Sequence, residues 1–121
     1  MASLLCLVVD RSPYGGIEPA EAIRHAGGAL GKGWEVVLAF TGQSVYTALR
    51  GQSPPAGEWL SLSEALTKLI ADGKGRARIL ADGQALDARG LASGALVAGV
   101  RWASPAELAR ALADCDRTLL F

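Results

Sequence analysis

Leu4-Leu5-Cys6-Leu7-Val8-Val9-Asp10 ("LLCLVVD", residues 4–10) is the stretch that decides the fold. Six apolar residues run without alternation and stop at an acid. A strand with one wet face would alternate, so the unbroken run suits a strand buried on both faces of a parallel sheet. The turn "DRSPYGG" (10–16) follows, and Pro19 fits the first position of a helix, where its missing N–H costs nothing. Ala20, Ile23, Gly27 and Leu30 then recur at helical spacing, and Gly31 and Gly33 end the element. Gly27-Gly28 inside a helix costs about 1 kcal/mol each relative to alanine, and close helix–sheet packing is the expected reason.

Glu35–Phe40 ("EVVLAF") reads as the second strand and "TGQ" as its exit loop, followed by a short helix over Val45–Arg50. "GQSPPAGEW" is a loop, since Pro54-Pro55 cannot continue a helix and biases Ser53 towards extended backbone. Ser61 and Glu64 have capping-box spacing, and Leu62, Ala65, Leu66, Leu69 and Ile70 mark one buried face before Asp72-Gly73. Ala77–Ala81 is a third strand, and a short fourth is expected near Ala98–Trp102. Ser104, Pro105 and Glu107 supply N-cap, first helical residue and capping-box acid together, the clearest start signal in the chain. Leu108, Ala111 and Leu112 form that helix's buried face, and Thr118–Phe121 is a terminal strand. Strands alternating with helices imply right-handed crossovers and a three-layer α/β/α sandwich.

A length of 121 residues suits one domain over 1–121, and the 50% hydrophobic content supplies a core without disulfides or metal. Twelve basic and twelve acidic residues balance without a run of either sign. Neither nucleic acid nor an anionic membrane is therefore an expected partner. The apolar run before Asp10 is shorter than a signal-peptide core and far shorter than a membrane span, so a cytoplasmic protein is expected. Cys6 and Cys115 have neither metal-ligand spacing nor the look of a disulfide framework.

Ligands of open α/β sheets bind beyond the carboxyl ends of the strands. That rule collects three loops: Asp10–Gly16, Thr41–Tyr46 and Asp82–Arg89. The candidate ligand-binding residues are Asp10, Tyr14, Gly15, Gly42, Tyr46, Asp82, Gln84 and Arg89, with helix N-termini and the Arg89 guanidinium suited to an anion. The bland reading has Asp10 and Asp87 capping turns, Arg89 tying its loop by a salt bridge, and the tyrosines packing at loop roots. "SPYGG" lacks a P-loop lysine and GxGxxG spacing, so a tight turn is the favoured reading. His25, the single histidine, has no second histidine for a zinc site and is expected at the surface. Cys6 reads as core. Cys115 stands between Asp114 and Asp116, charges that oppose a thiolate. Trp59 and Trp102 fall near loops and fit a subunit interface.

The pieces "DRSPYGG", "FTGQSVYTALRGQSPPAG", "DGQALDARGL" and "SPAELARALADCDRTLLF" together resemble the DsrE/DsrF-like family of small sulfur-relay proteins. The resemblance runs almost end to end, the second and third pieces being the more specific. It implies a mainly parallel five-stranded sheet flanked by helices, and homo- or hetero-oligomers. For active members it implies a persulfide-carrying cysteine after the middle strand, seven residues before the arginine of the "ARG" tripeptide, sometimes with a second three residues later. Counting back from Arg89 reaches Asp82 and then Ala85. A carboxylate cannot carry a persulfide, since exchange requires sulfur at the attacking atom. The expectation is a non-catalytic, homo-oligomeric subunit without cofactor or metal, binding a small molecule, an anion or a sulfur-relay partner protein. The alternatives are a sulfurtransferase carrying sulfur on Cys115, and an enzyme using Asp82 or Asp87 as general base. Zero formal net charge leaves little repulsion between copies, an independent motive for assembly.

Overall fold

The computed structural model describes residues 3–54, 56 and 61–121. Trp59 and part of the proline-rich loop lie outside the described residues. Five strands, β1 (Leu4–Val9), β2 (Glu35–Phe40), β3 (Ala77–Asp82), β4 (Val100–Ala103) and β5 (Arg117–Leu120), form one sheet. Their order is β4-β3-β2-β1-β5 and every pairing is parallel. The helices are α1 (Glu18–Gly31), α2 (Leu62–Gly73), α3 (Gly83–Ala88) and α4 (Pro105–Ala113). The "LLCLVV" run is β1, paired on both sides.

The two sheet faces carry separate cores. Leu7, Val9, Val36, Leu38, Phe40, Ile79 and Ala81 face α1, α2 and α3, where Ile23, Leu66, Leu69 and Leu86 pack on them. Cys6, Val37, Ala39 and Leu80 face the other way, against Leu108 and Ala111 of α4. The capping box at α4 is complete: Glu107 N–H donates to Ser104 Oγ (3.2 Å), and Ser104 N–H to Glu107 Oε1 (3.3 Å). At α2, Glu64 N–H donates to Ser61 Oγ at 3.4 Å.

Several expectations need correction. The residues after β2 form a 3-10 helix over Gly42–Ala48 rather than a helix over 45–50. β4 begins at Val100, because Gly99 still turns the chain with φ +95°. The terminal strand is shifted back by one residue, and Phe121 instead packs against the larger core. The buried stripe of α1 is Pro19, Ala22, Ile23, Ala26 and Leu30; Ala20 and Gly27 are exposed. Gly27 looks towards α2, with Leu69 Cδ1 3.9 Å from where a Cβ would stand, and nothing lies near Gly28. Helix–sheet packing therefore does not explain the glycine pair.

The cysteines are the largest correction. Cys6 and Cys115 are disulfide-paired, with Cα atoms 5.9 Å apart. Spacing hid this because 109 residues separate them. They meet because α4 crosses one sheet face, carrying the chain from the β4 edge to β5 beside β1.

Candidate functional site

At the carboxyl end of the sheet a cleft of about 590 Å³ is lined by Asp10, Arg11, Ser12, Gly15, Gly16, Glu18, Gly42, Gln43 and Arg89. Three segments build it: the β1 exit, the β2 exit and the end of α3. The first two are tied at the Val9 carbonyl. Thr41 donates to it from N–H (2.9 Å) and Oγ1 (3.2 Å). The buried Ser44 Oγ lies 2.5 Å from the same carbonyl and 2.7 Å from the Thr41 carbonyl. Gly42 takes φ +54° where it passes the Asp10 carbonyl, a left-handed conformation that glycine adopts without Cβ strain.

Charge in the cleft is mixed but unevenly committed. Arg11 Nε and Asp10 Oδ1 lie 3.7 Å apart with both side chains exposed, an ion pair of little energetic weight. The Glu18 carboxylate folds over Gly16, with Oε1 2.5 Å from where a Cβ would stand. Half-buried Arg89 donates from Nη1 to the Ala85 carbonyl at 3.1 Å and makes no ion pair among the described residues. The salt bridge of the bland reading is absent among the described residues. One backbone bond leaves most of the guanidinium fork uncommitted.

The structure brings Asp10, Gly15, Gly42 and Arg89 together and places the other four candidates elsewhere. Tyr14, in a left-handed conformation (φ +63°), lies outside the cleft lining. Its hydroxyl donates to Gln52 Oε1 (2.5 Å) and accepts from Leu62 N–H (2.9 Å) at the start of α2. Tyr46 is 40% exposed and lies outside the cleft lining. Asp82 accepts from Gln84 N–H (3.0 Å) as the N-cap of α3, so the stretch read as an open loop is a short helix. Gln84 is exposed on that helix, and Ala85 is buried. Trp102 lies across Gly83, so close that a Cβ there would stand 2.2 Å from the indole.

Arg11, Ser12, Gly16, Glu18 and Gln43 line the cleft without having been singled out. Arg11, Ser12, Gly16 and Gln43 adjoin candidates in the same two loops, and Glu18 opens α1 just beyond the first of them. No cysteine lines the cleft, and among the described residues no cluster of three or more His, Cys, Asp or Glu is arranged to hold a metal ion. His25 is exposed, its Nδ1 2.8 Å from the Glu21 carbonyl and its ring edge-on to Phe121 at 5.4 Å. Among the described residues no helix is long and apolar enough to cross a membrane.

The family model of the DsrE/DsrF-like family matches residues 4–121. The chain belongs to that family. A relative of this DsrE-like chain, the uncharacterized protein MK0008 of Methanopyrus kandleri, is 29% identical over 118 residues, 98% of this chain and 93% of the relative. Among solved structures, the ychN protein of E. coli superposes with a TM-score of 0.86 at 24% identity, covering all of both chains. MTH1491 of Methanobacterium thermoautotrophicum, a protein of unknown function, gives 0.75 at 13% identity, over 98% of this chain and 99% of its own. At such identities the two structures speak for the fold, a five-stranded parallel sheet with helices. Against the family pattern, Asp82 and Ala85 occupy the expected cysteine positions as a helix cap and a buried core residue.

Proposed function

We propose that this DsrE-like chain is a non-catalytic subunit of an oligomer that binds a small anionic ligand, or a sulfur-relay partner, in the cleft at the carboxyl end of the sheet. The observation that carries the reading is Arg89: a half-buried guanidinium in the cleft wall, without an ion pair among the described residues. Such a fork takes a carboxylate or sulfur oxyanion through two parallel charge-assisted hydrogen bonds. The absence of a cysteine from the cleft lining supports binding over sulfur transfer at this end of the sheet.

The test is calorimetric titration of the protein with thiosulfate and with sulfate. Binding that weakens about ten-fold or more in Arg89→Ala is expected, the loss of one bidentate charged contact. No binding of either probe, or binding indifferent to Arg89→Ala, overturns the anion reading. Sulfur taken from a persulfide donor and held on one defined cysteine would replace it with the sulfurtransferase reading, with Cys115 as carrier. Light scattering at micromolar concentration checks assembly; a strict monomer contradicts it.

A further inference from the structure

Cys6 sits mid-strand in β1 with no exposed surface, and Cys115 lies half-buried in the turn between α4 and β5. The 5.9 Å between their Cα atoms is a span a disulfide bridges without backbone movement. Both sulfurs also reach the same backbone acceptor: the Ala111 carbonyl is 3.6 Å from Cys6 Sγ and 3.2 Å from Cys115 Sγ. A reduced pair therefore has a hydrogen-bond acceptor waiting in the same backbone that accommodates the oxidised pair.

We propose that Cys6 and Cys115 are a reversible disulfide clasp on the edge strand β5, closed by a low-molecular-weight disulfide of the oxidised-glutathione class. The more exposed Cys115 thiolate attacks one sulfur of the small disulfide, forming a mixed disulfide and releasing one small thiol. The Cys6 thiolate then attacks the Cys115 sulfur, closing the protein disulfide and expelling the second small thiol. The protein thiols lose two electrons and two protons, and the small disulfide gains both; excess small thiol runs the sequence backwards.

β5 is where such a clasp matters. All four of its residues are exposed, so little apolar burial holds it and the ladder to β1 does most of the holding. Asp116 makes two bonds with Leu4: its N–H donates to the Leu4 carbonyl (2.9 Å), and its Oδ2 accepts from the Leu4 N–H (2.8 Å). Phe121 N–H closes the other end on the Val8 carbonyl at 2.8 Å. A crosslink across 109 residues restricts the unfolded chain strongly, and next to a weakly packed edge it also limits local opening.

The experiment equilibrates the native protein in glutathione buffers from fully reduced to fully oxidised. Thiol titration after denaturation, intact mass, melting temperature and amide exchange are then read. Expected are two thiols in the reduced form and none in the oxidised form, with a mass lower by two hydrogens. The oxidised form should melt about 10 °C higher. Its β5 amides should exchange about ten-fold more slowly, a shift that disappears in Cys115→Ser. Cys6→Ala should instead stop at the mixed disulfide, with glutathione retained on Cys115. Two titratable thiols in folded protein after full oxidation, or equal melting temperatures and β5 exchange in the two states, overturns the proposal. The cleft and Arg89 play no part in these readouts, so the clasp stands or falls independently of anion binding.

Discussion

One face of the sheet lies under α1, α2 and α3, and the other under the nine residues of α4. On the first, leucine, isoleucine, phenylalanine and valine side chains interlock; on the second, the core is smaller and includes Cys6, Ala39, Ala103 and Ala111. Area removed from water sets the hydrophobic contribution, so the crowded face carries most of the fold's stability. The thin face ends in an edge strand whose Leu119 and Leu120 are 41% and 80% exposed, and it is this face that holds the cysteine pair. A covalent tie matters most where packing contributes least. The cleft belongs to neither core; backbone bonds around Val9, Thr41 and Ser44 fix it at the sheet's end.

The comparison is broken most directly by one truncation on each face. Leu66→Ala under α2, where the side chain is fully buried, should cost about 3–5 kcal/mol in urea unfolding. Leu112→Ala on α4, half-buried, should cost about 1–2 kcal/mol in the reduced protein. Equal costs would mean that the faces contribute alike. Next in size, Gly83→Ala drives a methyl group into Trp102 and should destabilise by about 1–3 kcal/mol. It should also change tryptophan fluorescence, a change absent in a Trp102→Phe background. Tyr14→Phe, which strips the Leu62 N–H and Gln52 of their shared partner, should cost about 1–2 kcal/mol by the same unfolding measurement. Arg89→Ala should bind anion no better in that background, separating the loop's support from the cleft's chemistry.

Smaller effects sharpen the picture on α1. Gly28→Ala meets nothing within 4 Å and should raise stability by up to about 1 kcal/mol. The Glu21 carboxyl is held below the ordinary glutamate value, chiefly by its hydrogen bond from Arg24. A folded value below the unfolded one contributes stability that is complete above the unfolded value and fades as pH falls through the folded one. Glu21→Gln should therefore lower stability slightly at neutral pH, where the contribution is complete, and converge with the parent in acid, which flattens the acid limb of the stability curve. A steeper acid limb would reverse the sign.

Elements announced by uninterrupted local patterns were legible from the chain alone. "LLCLVV" and "EVVLAF" could be little other than buried strands, and Ser104-Pro105-Glu107 marks a helix start to the residue. The 3-10 helix over Gly42–Ala48 and α3 were misread because glycines and small polar residues carry no period, and their order comes from tertiary bonds. Half of the candidate site was legible for a similar reason. Asp10, Gly15, Gly42 and Arg89 share strand ends that the sheet must bring together. Whether Tyr14 or Asp82 turns inwards depends on what Gln52, Leu62 and Gln84 offer nearby.

The sequence by itself determined a parallel α/β sheet, because strand and helix periods are local and buried strands need apolar residues on both faces. It also determined that no sulfur stands at positions 82 and 85. Only the tertiary structure decided that Arg89 would face a cleft without a counter-ion among the described residues, and that Cys6 would meet Cys115. Both facts depend on which distant segments the strand order makes neighbours, and no local pattern along the chain encodes that contact.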